Sequence, residues 1–279
     1  MSAVTRFLPR NHFSFFMGYL AHLPLPKWIW TPIIRLFAKR YKINLEEAEL
    51  PIEDYSSLGE FFIRRLKPGA RHVGEKKILH PADSLVTQAE EIKHGKLVQA
   101  KNKYYSVFDL TQDKSALEKY NEGFFVTYYL CPTDYHRVHS PVTGVIRKIT
   151  HIPGDLWPVN EWSTQNVHEL FSVNERVCVE IETYQGWVNV IFVGATNVGF
   201  IELFCDSDLK GNQLTGNKPR IKDNLGIEIK KGDQLGCFRM GSTIVQLFSK
   251  ELRNAFSPDL KEVHELKGQR TQVCTSFLG

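Results

Sequence analysis

The chain has no cysteine pair at C-x-x-C spacing. Its five cysteines, Cys131, Cys178, Cys205, Cys237 and Cys274, are odd in number and far apart. That pattern argues against a thiolate zinc site and a disulfide framework and fits a reducing cytosol. Long apolar runs are also missing: charges and prolines interrupt the N-terminal stretch well short of the roughly 20 residues a spanning helix needs. The chain is therefore expected not to cross a membrane. Phe13 to Leu23 is followed by Pro24-Leu25-Pro26-Lys27 where a signal peptide would have a small-residue cleavage site. Acidic residues are absent from residues 1–45, which nonetheless carry Arg6, Arg10, Lys27, Arg35, Lys39, Arg40 and Lys42. With a net charge of only +4, this asymmetry points to an anionic surface as partner, and no nucleic-acid partner is expected. No internal repeat and no low-complexity tract interrupts the chain.

With 279 residues, 42% apolar and 24% charged, the chain can bury one substantial core, and one main domain with an appendage is expected. Phe13, Phe16, Met17, Leu20 and Ala21 recur at helical spacing, and Pro24 and Pro26 stop that helix. Thr31 as N-cap with Pro32 at the first position predicts a second helix. Its stripe of Ile33, Ile34, Phe37, Ala38 and Tyr41 faces away from Arg35, Lys39 and Lys42. Such a pair either packs on the rest of the protein or lies on a bilayer. Ser57-Leu58-Gly59-Glu60 has capping-box spacing ahead of a helix through Leu66, closed by Pro68-Gly69.

From about Ile78 the pattern changes to short β-branched and aromatic runs. Phe124 to Leu130 reads as a strand, and Val177 to Glu182 turns at Tyr184-Gln185-Gly186 into Trp187 to Val193 as an antiparallel hairpin. Ile227 to Gly236 reads as a further strand and turn, and the polar stretch 206–225 as a mobile loop. The fold class is α+β: N-terminal amphipathic helices, residues 1–70 forming a membrane-associating region, then a mainly antiparallel β domain of barrel-sandwich-like character over 71–279.

Three segments carry candidate chemistry. Met240-Gly241-Ser242-Thr243 sits directly before the strand-like run Ile244 to Phe248, and a Gly-Ser step there sets a hydroxyl beside a sterically open carbonyl. Pro81-Ala82-Asp83-Ser84 offers an acid, although an Asp in a turn commonly caps its own backbone. Asp134-Tyr135-His136-Arg137-Val138-His139-Ser140-Pro141 offers two histidines in what reads as a loop between Pro132 and Pro141. The spacing of His136 and His139 matches no metal motif, a third ligand and an H-E-x-x-H partner both being absent, so no metal is expected.

With these segments in view, the chain resembles the prokaryotic-type phosphatidylserine decarboxylase proenzymes, a pyruvoyl-dependent family, along nearly its whole length. The basic-aromatic N-terminal helices carry the likeness, as do Glu60 to Pro68, Pro81-Ala82-Asp83, Tyr135 to Pro141, Leu170 to Val177, Val193-Gly194-Ala195 and Gly241-Ser242-Thr243. Met240 stands where the family usually has Leu, a volume-conserving change, and Trp157-Pro158 replaces a more usual Phe-Ser. The resemblance implies that Ser242, His139 and Asp83 act as nucleophile, base and orienting acid in a self-cleavage between Gly241 and Ser242. The products would be a β chain, 1–241, and an α chain, 242–279, forming a heterodimer open to further dimerisation. Ser242 would become a covalent pyruvoyl cofactor whose Schiff base with the substrate amine serves as electron sink for decarboxylation of phosphatidylserine to phosphatidylethanolamine. His136 is implied in binding the substrate headgroup, and a peripheral place on the cytoplasmic side of the cell membrane is expected.

Two other readings use the same residues. A serine hydrolase would employ Ser242, His139 and Asp83 on an external ester, without the support of a G-x-S-x-G elbow. A non-enzymatic barrel-sandwich binding module would account for the Lys230-Lys231-Gly232-Asp233 turn.

Overall fold

The computed structural model describes residues 10–196, 201–206, 208, 218–239, 242–256 and 260–277. Arg6, Met240, Gly241 and most of the polar stretch between 206 and 218 lie outside them, and Ser242 enters through its backbone.

Helices α1 (Arg10–Ala21) and α2 (Lys27–Tyr41) are joined by the proline-rich link expected between them. Helix α2 starts earlier than a Thr31 cap would have it: Pro26 occupies the cap position and Pro32 lies inside the helix. The early turn is held from the side by Trp30, which is buried and donates from Nε1 to the Leu23 carbonyl at 2.9 Å. Tertiary packing thus outweighs the one backbone donor that Pro32 lacks. Ile34 and Ala38, one and two turns beyond Trp30, complete the buried stripe over Tyr55 and Phe61, whereas Ile33 faces outward, contrary to its expected place on the inner face.

The capping box forms. Ser57 Oγ accepts from the Glu60 amide at 3.1 Å, and Glu60 reaches back to the Ser56 amide at 3.3 Å. The helix it starts, α3 (Leu58–Phe62), is shorter than expected, because Arg64 turns into the interior and Leu66 makes a bridge with Ala48. Gly59 has no side chain where the His22 ring lies, so α1 can settle onto α3.

The β region comprises β1 (Ser84–Glu91), β2 (Lys96–Ala100), β3 (Lys103–Ser106), β4 (Phe124–Leu130), β5 (Arg137–His139), β6 (Gly144–Ile152), β7 (Arg176–Thr183), β8 (Gly186–Val193), β9 (Ile201–Leu203), β10 (Arg220–Lys222), β11 (Ile227–Ile229), β12 (Gln234–Phe238), β13 (Ser242–Phe248) and β14 (Arg270–Thr271). Short helices α4 (Val107–Thr111), α5 (Lys114–Tyr120), α6 (Glu161–Asn166), α7 (Leu170–Val173), α8 (Lys250–Phe256) and α9 (Leu260–Glu265) fill the connections. The main sheet runs β10-β6-β7-β8-β13-β4-β1-β14, with β11 also on β6, and its pairings are antiparallel.

A smaller sheet, β5-β12-β9, is joined to the main sheet's core through Phe238 against Phe192, their centroids 5.2 Å apart. The arrangement is sandwich-like and no closed barrel forms among the described residues. The β7–β8 hairpin turns at Tyr184-Gln185 as expected, with Thr183 opposite Gly186. Arg220–Lys222, within the stretch read as a loop, is instead an edge strand on β6. The histidine segment, also read as a loop, contributes β5.

One end of the main sheet is pinned by Arg176, only 2% exposed. Its guanidinium donates to the carbonyls of Leu110, Ser172, Asn174 and Asp109 at 2.5–2.9 Å, tying α4 and α7 to the start of β7. Burial pulls its pKa down to about 10, with Cys178 and Asp109 nearby working against that. Arg176→Met would strand those four carbonyls, at a cost of about 3 kcal/mol. Denaturant unfolding of parent and variant, both carrying Ser242→Ala, is expected to show that loss.

Candidate functional site

The strand registers bring the Asp83 and Ser242 segments to one end of the main sheet. Ser242 at the start of β13 is opposite Leu130 at the end of β4, and Thr243 is opposite both Tyr129 and Val193. Beyond β4, Leu85 of β1 is opposite Tyr129, so Asp83 and Ser84 arrive at the same end. On the other side, Val193 faces Arg176 and Arg176 faces Ile152. His151, beside that last position, donates from Nε2 to Glu175 at 2.6 Å and accepts from Arg220 at Nδ1.

His139 ends β5, and its amide donates to the Pro81 carbonyl at 2.9 Å, which sets the histidine segment against the Pro-Ala-Asp turn. Its ring is held at both nitrogens: Nδ1 is 2.6 Å from the Gly232 carbonyl and Nε2 is 3.1 Å from the Tyr135 hydroxyl. A carbonyl only accepts, so the proton resides on Nδ1 and Nε2 carries the lone pair. Burial lowers the His139 pKa. The Gly232 bond, Asp83 and Asp233 work against that, while Arg137 adds to it, and the ring is neutral at pH 7. In tautomer and charge it is equipped as a general base at Nε2.

The turn that presents Gly232 is itself secured. Lys231 Nζ donates to the carbonyls of Gly74, Glu75 and Lys76 at 2.8–3.0 Å, and Gly232 sits at φ +85°, where a side chain is strained. The Lys-Lys-Gly-Asp turn therefore holds the His139 ring.

Asp83 is bound elsewhere. Arg71 donates to its two oxygens at 3.3 and 2.5 Å, the Val273 amide donates at 2.7 Å, and Arg71 also reaches Glu47 at 2.9 Å. Among the described residues no hydrogen bond joins Asp83 to His139. The carboxylate acts on the ring through its field, raising its basicity. The segment around Val273 thus reaches the Asp83 carboxylate directly.

His136 is fully buried, stacked on Phe62 at 4.0 Å, with Nε2 donating to the Cys131 carbonyl at 3.0 Å and Nδ1 without a partner. Burial and then the nearby Arg64 push its pKa down to about 3, so it is a neutral acceptor. Arg64 is 5% exposed and places Nη2 at 3.4 Å from the Thr133 carbonyl. Asp134 receives the Cys131 amide at 2.7 Å and the Arg270 guanidinium, which makes it a clasp on the loop before β5. Among the described residues no group of three or more metal-ligating side chains assembles.

Comparison with known proteins bears on the same segments. The family model for phosphatidylserine decarboxylase matches residues 58–273, from the first helical residue after Ser57 to the residue that binds Asp83. The chain belongs to the phosphatidylserine decarboxylase family. This is a family of carboxy-lyases. A phosphatidylserine decarboxylase proenzyme of Myxococcus xanthus is 38% identical over 271 residues, 96% of each chain. One from Photobacterium profundum is 40% identical over 253 residues, 88% of this chain and 86% of its own. A third, from Shewanella woodyi, is 38% identical over 267 residues, 92% of each.

Within this family member, Arg71 and Val273 are site residues that sequence reasoning missed. Arg71→Met would leave the largely buried Asp83 and the half-buried Glu47 without their shared cation, and is expected to cost about 3 kcal/mol. The double variant Arg71→Met/Asp83→Asn removes one unpaired charge and should recover part of that loss. Unfolding midpoints compared in a Ser242→Ala background would check both.

Proposed function

We propose that the protein decarboxylates phosphatidylserine to phosphatidylethanolamine after cutting itself between Gly241 and Ser242. The observation that carries this reading is the His139 ring. It is neutral, held as the Nδ1–H tautomer by Gly232, and lies against the Asp83 segment at the sheet end where β13 begins.

In the proposed cut, Ser242 Oγ attacks the Gly241 carbonyl carbon as its proton passes to His139 Nε2. The C–N bond breaks, the nitrogen takes that proton, and Gly241 is carried as an ester. Asp83 favours the imidazolium through its charge, in the role of orienting acid at one remove. Loss of the Ser242 α-proton then breaks the Cβ–Oγ bond and frees Gly241 as a carboxylate. The dehydroalanine left behind tautomerises and takes up water, releasing ammonia. Position 242 suits the resulting group, because it opens a strand paired with β4 and, from Thr243 onward, with β8 as well. A pyruvoyl group held there would supply a ketone to condense with a primary amine and an electron sink for the pair left by departing CO₂. His136 is our candidate for binding the substrate headgroup; its ring is fully buried in the uncut chain, with Nδ1 unpartnered among the described residues.

The membrane is the second part of the proposal. Trp28 is 76% exposed and Leu36 70% exposed; Ile33 is exposed on the same helix, whose last turn carries Lys39 and Arg40, and Phe16 and Tyr19 are exposed on the helix before it. An outward face that mixes large apolar and cationic side chains suits a peripheral helix pair on anionic lipid. No described helix is long and apolar enough to cross a membrane. We assign residues 1–70 to this contact and 71–279 to catalysis.

Ser242→Ala and His139→Ala are each expected to remain one uncut, inactive chain on denaturing gels; two fragments in either variant would overturn the assigned roles. Because the His139 pKa is lowered, its neutral form persists to lower pH. The self-cleavage rate should hold steady down to the ordinary histidine value of about 6.5 and fall only below it. A rate already halved above that value would contradict the assignment. Replacing Trp28 and Leu36 together by Ser should weaken flotation with phosphatidylserine-containing vesicles by about tenfold or more. Unchanged flotation would remove the helices from the membrane contact.

A further inference from the structure

The lone pair on which the proposed chemistry depends is already occupied. Tyr135 OH lies 3.1 Å from His139 Nε2, with the two ring centroids 5.7 Å apart. Since Nδ1 gives its proton to the Gly232 carbonyl, Nε2 can only accept, and the phenol is the donor. Tyr135 is not free to wander: it is 3% exposed and packed with Leu79, Val273, Cys274 and Leu66. Two of those neighbours, Val273 and Cys274, belong to the segment that clamps Asp83.

We propose that Tyr135 is the positioning residue of the base: its hydroxyl caps His139 Nε2 in the uncut chain, and together with the Gly232 carbonyl it fixes the ring in the one tautomer able to take the serine proton. The inference rests on reading His139 as the base of self-cleavage and adds a residue to that machinery. It has a chemical consequence. A donor to the neutral ring competes with protonation of the same nitrogen, so the phenol keeps Nε2 unprotonated, and rotation about its C–O bond, which leaves the packed ring in place, frees the lone pair for the serine proton. The other groups that act on the ring are Arg137 on β5, Asp83 ahead of β1 and Asp233 in the turn before β12. All three remain in a Tyr135→Phe variant, which removes one oxygen from a packed site and isolates the hydrogen bond. Burial also pushes the Tyr135 pKa upward, so the phenol keeps its proton throughout the range in which His139 titrates.

The first test is the pH profile of self-cleavage in parent and Tyr135→Phe chains. Loss of the donor should move the acid limb to higher pH by about half a unit to one unit. A limb that stays in place, or moves to lower pH, overturns the proposal. A purely structural role for Tyr135 would change the rate without moving the limb.

The second test reads the ring directly, by nitrogen NMR of the His139 imidazole in the full-length Ser242→Ala chain. The proton is expected on Nδ1, and the Nε2 resonance should shift when Tyr135→Phe is added. A proton on Nε2, or an Nε2 resonance indifferent to Tyr135, overturns the proposal. The two failures are distinguishable. If the parent chain never cuts itself, the function proposed above is wrong, while the NMR experiment still decides whether Tyr135 caps His139.

Discussion

The structure depends on β13 being an interior strand. From Thr243 to Phe248 it pairs with β4 on one side and β8 on the other, so its backbone donors and acceptors are spent inside the sheet. A chain broken just before Ser242 would keep that strand in place. Further along the same piece, Phe248 stacks on Phe124 at 4.1 Å and tilts on Phe277 at 5.4 Å, and Arg270–Thr271 pairs with β1. The described stretch up to Phe277 is thus woven into earlier strands, and a cut at the sheet end would expose a new terminus without releasing a fragment.

That weave also explains how the site is organised. Asp83 precedes β1, Arg71 lies in the link from the helices, and Val273 follows β14, yet their polar groups meet within one hydrogen-bonded set. Arg71 extends the set to Glu47, so the helical region is connected to the site by a largely buried ion pair as well as by packing. Such a network is strong only while complete, because any member removed leaves a charge with little water around it. His139 belongs to a neighbouring set, with Gly232 and Tyr135 at its nitrogens. The two sets communicate through the backbone bond from His139 to Pro81 and through the field of Asp83.

Much of this was legible in the sequence where the signal is local. The Ser57–Glu60 capping box, the Tyr184-Gln185 hairpin, the β4 run and the β13 run are each written in residues a few positions apart, and each forms. The three chemical segments stood out by composition; strand registers bring the Asp83 and Ser242 segments to one sheet end, and the His139–Pro81 backbone bond sets the histidine segment against them. What was not legible lies in pairings between remote segments. The carbonyl that orients His139 comes from 93 residues away and the amide that binds Asp83 from 190 away, and neither backbone group has a sequence signature. Helix α2 was misplaced at its start because Thr31-Pro32 is a good local signal that Trp30 overrides by burying against Leu23. Arg220–Lys222 reads as polar loop because an edge strand needs apolar residues on one face at most. The family resemblance supplied the roles expected of Ser242, His139 and Asp83. The partners that hold two of them in place, Arg71, Val273, Gly232 and Tyr135, came from the fold.

The central claim is that the chain cuts itself at the head of β13 by serine chemistry. Intact-mass spectrometry of the purified protein under denaturing conditions tests it most directly. The account predicts two chains, 1–241 and 242–279, whose summed mass reflects one water gained and one ammonia lost, with the smaller chain closed to N-terminal sequencing. Two chains that sum to the precursor plus a whole water would mean ordinary proteolysis, and a single uncut chain would mean that Ser242 and His139 do not perform this reaction.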